Sequence, residues 1–181
     1  YSPHRYGPSD LAGKSLNKAA LLDLLRMPAP PGTPLIGLIS RLTQQKGIDL
    51  LFDTLPELLA TRDLRFVALG SGEPHYEHFL RGLQERFPGM AVFYSGYSEE
   101  LAHMIEAAAD MFLMPSLYEP CGLNQMYSLK YGTVPIVRRT GGLADSVRHF
   151  DPTIGKGTGV VFNDFDPGGV RWALATALEW Y

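Results

Sequence analysis

An α/β fold, a doubly wound parallel sheet with helices on both faces, is predicted by this 181-residue sequence. Two observations carry that prediction. Six short, nearly continuous apolar runs alternate with stretches whose apolar residues recur at helical spacing, as expected of buried parallel strands joined by crossover helices. The runs ending at Ser40 and Met114 each lead through a polar turn into a helix, and ligands bind at such turns in open parallel sheets.

Residues 1–10 are polar, carry two prolines and read as linker. Lys14 to Leu25 is a helix expected to bury Leu16, Ala20 and Leu24, and Pro28-Ala-Pro-Pro-Gly is a rigid break. Residues 1–33 therefore form a linker and edge helix, and 34–181 the domain proper. The first strand, Pro34 to Ser40, leads through Arg41–Gly47 to a helix over Ile48–Leu59 that buries Ile48, Leu51, Leu55 and Leu58. Leu64 to Gly70 is the second strand, and Tyr76 to Arg86 a helix on Phe79, Leu80 and Leu83. Met90 to Tyr94 is the third strand. Ser98-Glu-Glu opens the next helix, which uses Leu101, Met104, Ile105 and Ala108. Ala109 to Met114 is the fourth strand, followed by a helix in which Leu123, Met126, Tyr127 and Leu129 mark the period up to Gly132. In the fifth strand, Thr133 to Arg138, Pro135 predicts an edge or a bulge. A glycine turn and short helix then run to near Phe150, and 151–159 is a loop. Gly159 to Phe162 is the last strand, and Pro167 to Tyr181 an Ala-rich closing helix. A strand order of 3-2-1-4-5-6 brings the loops after strands one and four together.

Composition excludes several classes. A net charge of −3, with 45% hydrophobic and 19% charged residues, suits one globular domain without a nucleic-acid footprint or a surface for anionic membranes. No apolar run is long enough to span a bilayer, and no secretory signal opens the chain. The single Cys rules out an intrachain disulfide, argues against a Cys-based metal site and fits a reducing compartment. Both ends read as boundaries within a longer chain.

The chemistry concentrates in Met114-Pro-Ser-Leu-Tyr-Glu119-Pro-Cys121-Gly122-Leu123-Asn124-Gln-Met-Tyr127. Glu119 is either a favourable first-turn charge or a carboxylate for sugar hydroxyls, while the free amides at Gly122 and Leu123 suit a phosphate. A phosphorylated sugar satisfies both. Arg41 and Lys46 are either solvated surface charge or an anion clamp. Gly70-Ser-Gly72 is weak evidence, since paired glycines often serve turn geometry alone. Tyr97 either caps the core edge or offers a ring face to a base. Thr140-Gly141-Gly142 is either a helix start that needs small residues or a loop approached closely by a ligand. Cys121 is a thiol beside a helix entry or simply a small packing residue.

The string Glu119-Pro-Cys-Gly-Leu-x-Gln, with Tyr131-Gly-Thr-Val-Pro-Ile-Val, Thr140-Gly-Gly-Leu and Ser40-Arg-Leu-x-x-Gln-Lys-Gly, resembles the donor site of the bacterial glycogen synthase and starch synthase family. The likeness runs from about Tyr1 to Val161. It implies one Rossmann-like half of a GT-B fold, the C-terminal nucleotide-sugar-binding domain, entered at Pro28-Ala-Pro-Pro-Gly. The activity implied is retaining transfer of glucose from ADP-glucose to an α-1,4-glucan, in the bacterial cytoplasm. On this resemblance Arg41 and Lys46 take the diphosphate, Gly70 and Gly72 line the nucleotide side, and Tyr97 stacks on adenine. Glu119, Cys121, Gly122, Leu123, Asn124, Thr140, Gly141 and Gly142 surround the donor. Many GT-B retaining enzymes carry a second Glu eight positions after the first; Tyr127 stands there instead. No metal and no cofactor are expected, ADP-glucose being substrate. The expected partners are the glucan acceptor and an N-terminal domain that closes the cleft. Another GT-B donor domain, or a nucleotide-binding module that does not catalyse, would share many of these features.

Overall fold

The computed structural model describes residues 2–181; Tyr1, the first residue of the expected linker, lies outside them. Six strands, β1 (Leu35–Ile39), β2 (Arg65–Gly70), β3 (Ala91–Ser95), β4 (Met111–Met114), β5 (Val134–Arg138) and β6 (Val160–Phe162), form one sheet in the order β3-β2-β1-β4-β5-β6. Every neighbouring pair is parallel. The helices are α1 (Ala12–Leu24), α2 (Thr54–Thr61), α3 (Pro74–Arg86), α4 (Glu99–Ala108), α5 (Asn124–Lys130), α6 (Gly141–Ser146) and α7 (Pro167–Glu179). Side chains alternate across the strands. Ile36, Leu38, Phe66, Leu113, Ile136 and Phe162 therefore pack under α2, α3 and α7. On the other face, Leu35, Val67 and Leu69 meet Leu21 of α1 and Leu101 and Ile105 of α4, while Phe112, Met114 and Val137 meet Leu143 of α6.

Four local expectations are corrected. The helix expected from Ile48 is broken into a 3-10 turn, Ile48–Leu51, and α2. Pro56 explains the break: a continuous helix would need its missing N–H and would drive its ring into the carbonyl of Phe52, whereas near the start of α2 neither matters. In α1 the buried positions are Gly13, Asn17 and Leu21, while Leu16 and Leu24 are exposed. Asn17 goes inward because it brackets the backbone of His4, accepting from its N–H (3.0 Å) and donating to its carbonyl (2.8 Å). In α5 the buried residues are Gln125 and Ser128, and Leu123, Met126 and Tyr127 face outward. Pro135 lies in an interior strand. Val134 N–H donates to the β4 side, and pairing with β6 begins only at Ile136, so the missing N–H of Pro135 breaks no ladder bond. Among the described residues no helix is long and apolar enough to cross a membrane.

At the amino ends of β4 and β5 lies a buried polar cluster that the sequence did not announce. Glu106 of α4 is 4% exposed. Its Oε2 accepts from Ser128 Oγ (2.9 Å), and its Oε1 has no hydrogen-bond partner among the described residues. Lys14 Nζ donates to Thr133 Oγ1 (2.7 Å), and Tyr6 donates to the carbonyl of Tyr131 (2.8 Å). Burial outweighs the Ser128 hydrogen bond and the attraction of Lys14, raising the Glu106 carboxyl from 4.5 to about 7. Burial also lowers Lys14 from 10.5 to about 8. Because the folded-state value for Glu106 lies above the unfolded one, its contribution is complete below pH 4.5 and is lost as pH rises through about 7. Such a rise corresponds to about 3 kcal/mol at most. Glu106→Gln is therefore expected to stabilise the fold at pH 7 and to flatten the decline between pH 5 and 7. Denaturant unfolding across that range checks it, and parallel pH profiles for the two proteins would contradict it.

Candidate active site

The carboxyl ends of β1 and β4 border a cleft of about 190 Å³, lined by Ser40, Arg41, Lys46, Pro115, Ser116, Glu119, Gly122, Leu123 and Asn124 among others. The order β2-β1-β4-β5 places the switch of winding direction there, so adjacent loops diverge and leave a crevice. Backbone contacts set its walls. After β1 the chain makes a 3-10 turn, Gln44–Lys46, ended by Gly47 in the left-handed region at φ 68°. A Cβ at Gly47 would lie 2.1 Å from the carbonyl oxygen of Pro115, so only glycine allows this approach. Leu117 N–H donates to Gln45 O (2.9 Å), and Gln45 Nε2 donates to Tyr118 O (2.9 Å), stitching the two loops together.

That stitching brings Lys46 Nζ to 2.5 Å from Glu119 Oε2. Ser116 Oγ donates to the same oxygen (3.3 Å), and Glu119 is 8% exposed. Arg41 is exposed on the rim and, among the described residues, no carboxylate pairs with it. The cleft thus holds a neutralised cation, a carboxylate and an uncompensated guanidinium. The entry to α5 adds amides without a first-turn acid, and Asn124 Nδ2 anchors it to Ile39 O of β1 (2.9 Å).

Six of the sequence-selected residues, Arg41, Lys46, Glu119, Gly122, Leu123 and Asn124, share the cleft wall. The others stand outside it. Thr140, Gly141 and Gly142 lie behind the Glu119 turn: Gly142 N–H donates to Glu119 O (2.9 Å), and a Cβ at Gly141 would lie 2.1 Å from that oxygen. Cys121 is exposed, and its carbonyl accepts from Gln125 Nε2 (3.2 Å). Gly70 and Gly72 flank Ser71, whose carbonyl accepts from Leu42 N–H (2.9 Å) behind the Arg41 loop. Tyr97, 82% exposed, follows β3, two strands from β1 and so roughly 10 Å along the sheet.

Sequence reasoning missed two supports. Arg138 at the end of β5 donates to Leu117 O (2.5 Å) and packs 5.3 Å from the Phe165 ring, pinning the segment before Glu119. Gln125, fully buried, donates to Cys121 O, Gly122 O (3.1 Å) and Ser146 Oγ (3.0 Å), setting the turn after it. The only sequence signal for Arg138 was its position before Thr140-Gly-Gly; Gln125 gave none beyond the motif itself.

The model of a family described as glycosyl transferases group 1 matches residues 26–180. The chain belongs to this family. As a group 1 glycosyl transferase domain it is 48% identical over 180 residues to a glycogen synthase of Thioalkalivibrio sulfidiphilus, covering 98% of this chain and 37% of that protein. It is 50% identical over 177 residues to a glycogen synthase of Anaeromyxobacter dehalogenans, with the same coverage. Among solved structures it matches the catalytic domain of starch synthase IV from Arabidopsis thaliana, bound to ADP and acarbose. That match has a TM-score of 0.86 and 37% identity, covering 98% of this chain and 37% of that one. The domain thus spans a little over a third of the length of these relatives.

Proposed function

We propose that this chain is the donor-binding, C-terminal part of a glycogen or starch synthase, which transfers glucose from ADP-glucose to the non-reducing end of an α-1,4-glucan with retention. The observation that carries this reading is the meeting of Arg41, Lys46 and Glu119 in one cleft at the switch point. The ADP held by the starch synthase relative supports it. When ADP leaves, negative charge grows on its β-phosphate. Arg41, Lys46 and the amides of Gly122 and Leu123 are the groups that answer it. Glu119, an acceptor-only group when ionised, orients the glucose through its hydroxyls. Tyr127, and not a second Glu, stands on the exposed face of α5. Two side-chain cations face the diphosphate, so the reading assigns no cofactor beyond the substrate. Tyr97 on the rim is the candidate for the adenine face. The glucan groove and the second wall of the cleft belong to an N-terminal domain, and the whole enzyme works in the bacterial cytoplasm.

A competition assay tests the donor. Glucan elongation by the full-length enzyme should draw on ADP-glucose in preference to UDP-glucose; preference for UDP-glucose or another nucleotide sugar would return the chain to the wider GT-B group. Cys121 is predicted to take no part in the chemistry. Cys121→Ser should retain most activity, whereas a bulky alkyl group on the exposed sulfur should lower it by crowding the turn beside Gly122. Loss of activity in the serine variant comparable with loss in a Glu119 variant would require a role for sulfur.

A further inference from the structure

Lys46 and Glu119, which the donor-site reading sends to opposite ends of one ligand, are bound to each other. The contact is 2.5 Å, with the two side chains only 16% and 11% exposed. Glu119 Oε2 accepts from both Lys46 Nζ and Ser116 Oγ, while no hydrogen bond reaches its Oε1 among the described residues. Resting on that reading, we propose that the Glu119 carboxylate, held by Lys46 in this cleft, makes the site prefer the sugar-bearing donor over the bare nucleotide diphosphate that the reaction releases.

A diphosphate within reach of Lys46 Nζ also approaches the Glu119 carboxylate. It must either draw the ammonium away, leaving a shielded carboxylate with Ser116 alone, or lie beside a carboxylate of like charge whose ammonium stays turned to it. Both are unfavourable where water is scarce. A nucleotide diphosphate brings only acceptors to this point. A hexose attached to it brings hydroxyl donors, which an ionised carboxylate can accept at the free Oε1 and at the position Lys46 vacates. The donor thus replaces both halves of the pair, and the product only one. Arg41 lies outside the exchange: among the described residues no carboxylate pairs with it, so it is free to hold any diphosphate, with or without the sugar. The consequence is directional. Once the sugar has left, Glu119 reclaims Lys46 and helps to expel the nucleotide.

Calorimetric titration of the 181-residue chain with ADP and with ADP-glucose tests this. The wild type should bind ADP-glucose more tightly than ADP. Glu119→Gln keeps the shape of the side chain and removes its charge; it should tighten ADP about tenfold, roughly the weight of one charge-assisted contact, and should not tighten ADP-glucose. Lys46→Gln should move the preference the other way, weakening ADP more than ADP-glucose, because the unpaired carboxylate then faces the phosphate without relief. The two opposite shifts keep the test sound should one variant fail to fold. Binding of both ligands with ADP affinity unchanged or weakened in Glu119→Gln, or equal losses for both ligands in Lys46→Gln, would overturn the exchange while leaving the donor site intact. Failure of the wild type to bind either ligand would instead overturn the donor site itself.

Discussion

Replacing Arg41 or Lys46 by alanine in the full-length enzyme is expected to lower glucan elongation by about 10²–10³-fold, the scale for losing one preorganised electrostatic donor, roughly 3–4 kcal/mol. The two losses should differ in kind. Arg41 is exposed and has no carboxylate partner among the described residues, so its removal weakens the hold on the diphosphate throughout and should raise KM as well as lower kcat. Lys46 starts bound to Glu119, so its charge is fully available to phosphate only when that pair opens, and its loss should fall more heavily on kcat. The fold should survive both changes, because neither side chain belongs to the apolar core, but Lys46→Ala should lower its stability by leaving the shielded Glu119 carboxylate with Ser116 alone. Steady-state kinetics beside thermal unfolding separate these effects. Near-normal rates for both variants would return the two cations to ordinary surface charge.

The second large effect is an absence of turnover: the chain alone should bind ADP weakly and transfer no glucose. Retaining transfer needs a closed site, because water would intercept the activated sugar and weaken the charges that stabilise the leaving group. Here the cleft is open toward solvent at Arg41. The outward residues beside it, Leu117, Tyr118, Leu123, Met126 and Tyr127, present an apolar flank with nothing packed on it among the described residues. The chain covers 37% of the glycogen synthase relative, and in that protein the remaining length is ample for an opposite wall. Incorporation of labelled glucose into glycogen by the purified chain would contradict this and would require two copies to form the cleft between them.

The strand pattern, sheet order and meeting of the two loops were legible because they rest on the strongest local signals: apolar strands bounded by punctuation, and a winding rule that follows from them. What failed were the faces of helices whose burial is decided by neighbours and not by their own period. In α5 Met126 and Tyr127 point outward and Gln125 points inward, because the buried amide has three acceptors waiting in the turn and at Ser146. In α1 the polar Asn17 is buried for the same reason, through His4. The Lys46–Glu119 contact joins residues 73 apart in sequence, and spacing carries no information about it; it follows from the close backbone approach at Gly47. Glycine motifs were visible, but their geometric purpose was not. Gly141 and Gly142 press on the backbone of the Glu119 turn from behind and stand outside the cleft wall.

The central claim, that the switch-point cleft is the donor diphosphate site, is tested most directly by a crystal structure of the chain with ADP. The account predicts the β-phosphate between Arg41 and the entry of α5, within hydrogen-bond reach of Lys46 and the Gly122 and Leu123 amides, with the Lys46–Glu119 contact lengthened. ADP bound elsewhere, with Lys46 still closed on Glu119 and Arg41 facing solvent, would contradict it.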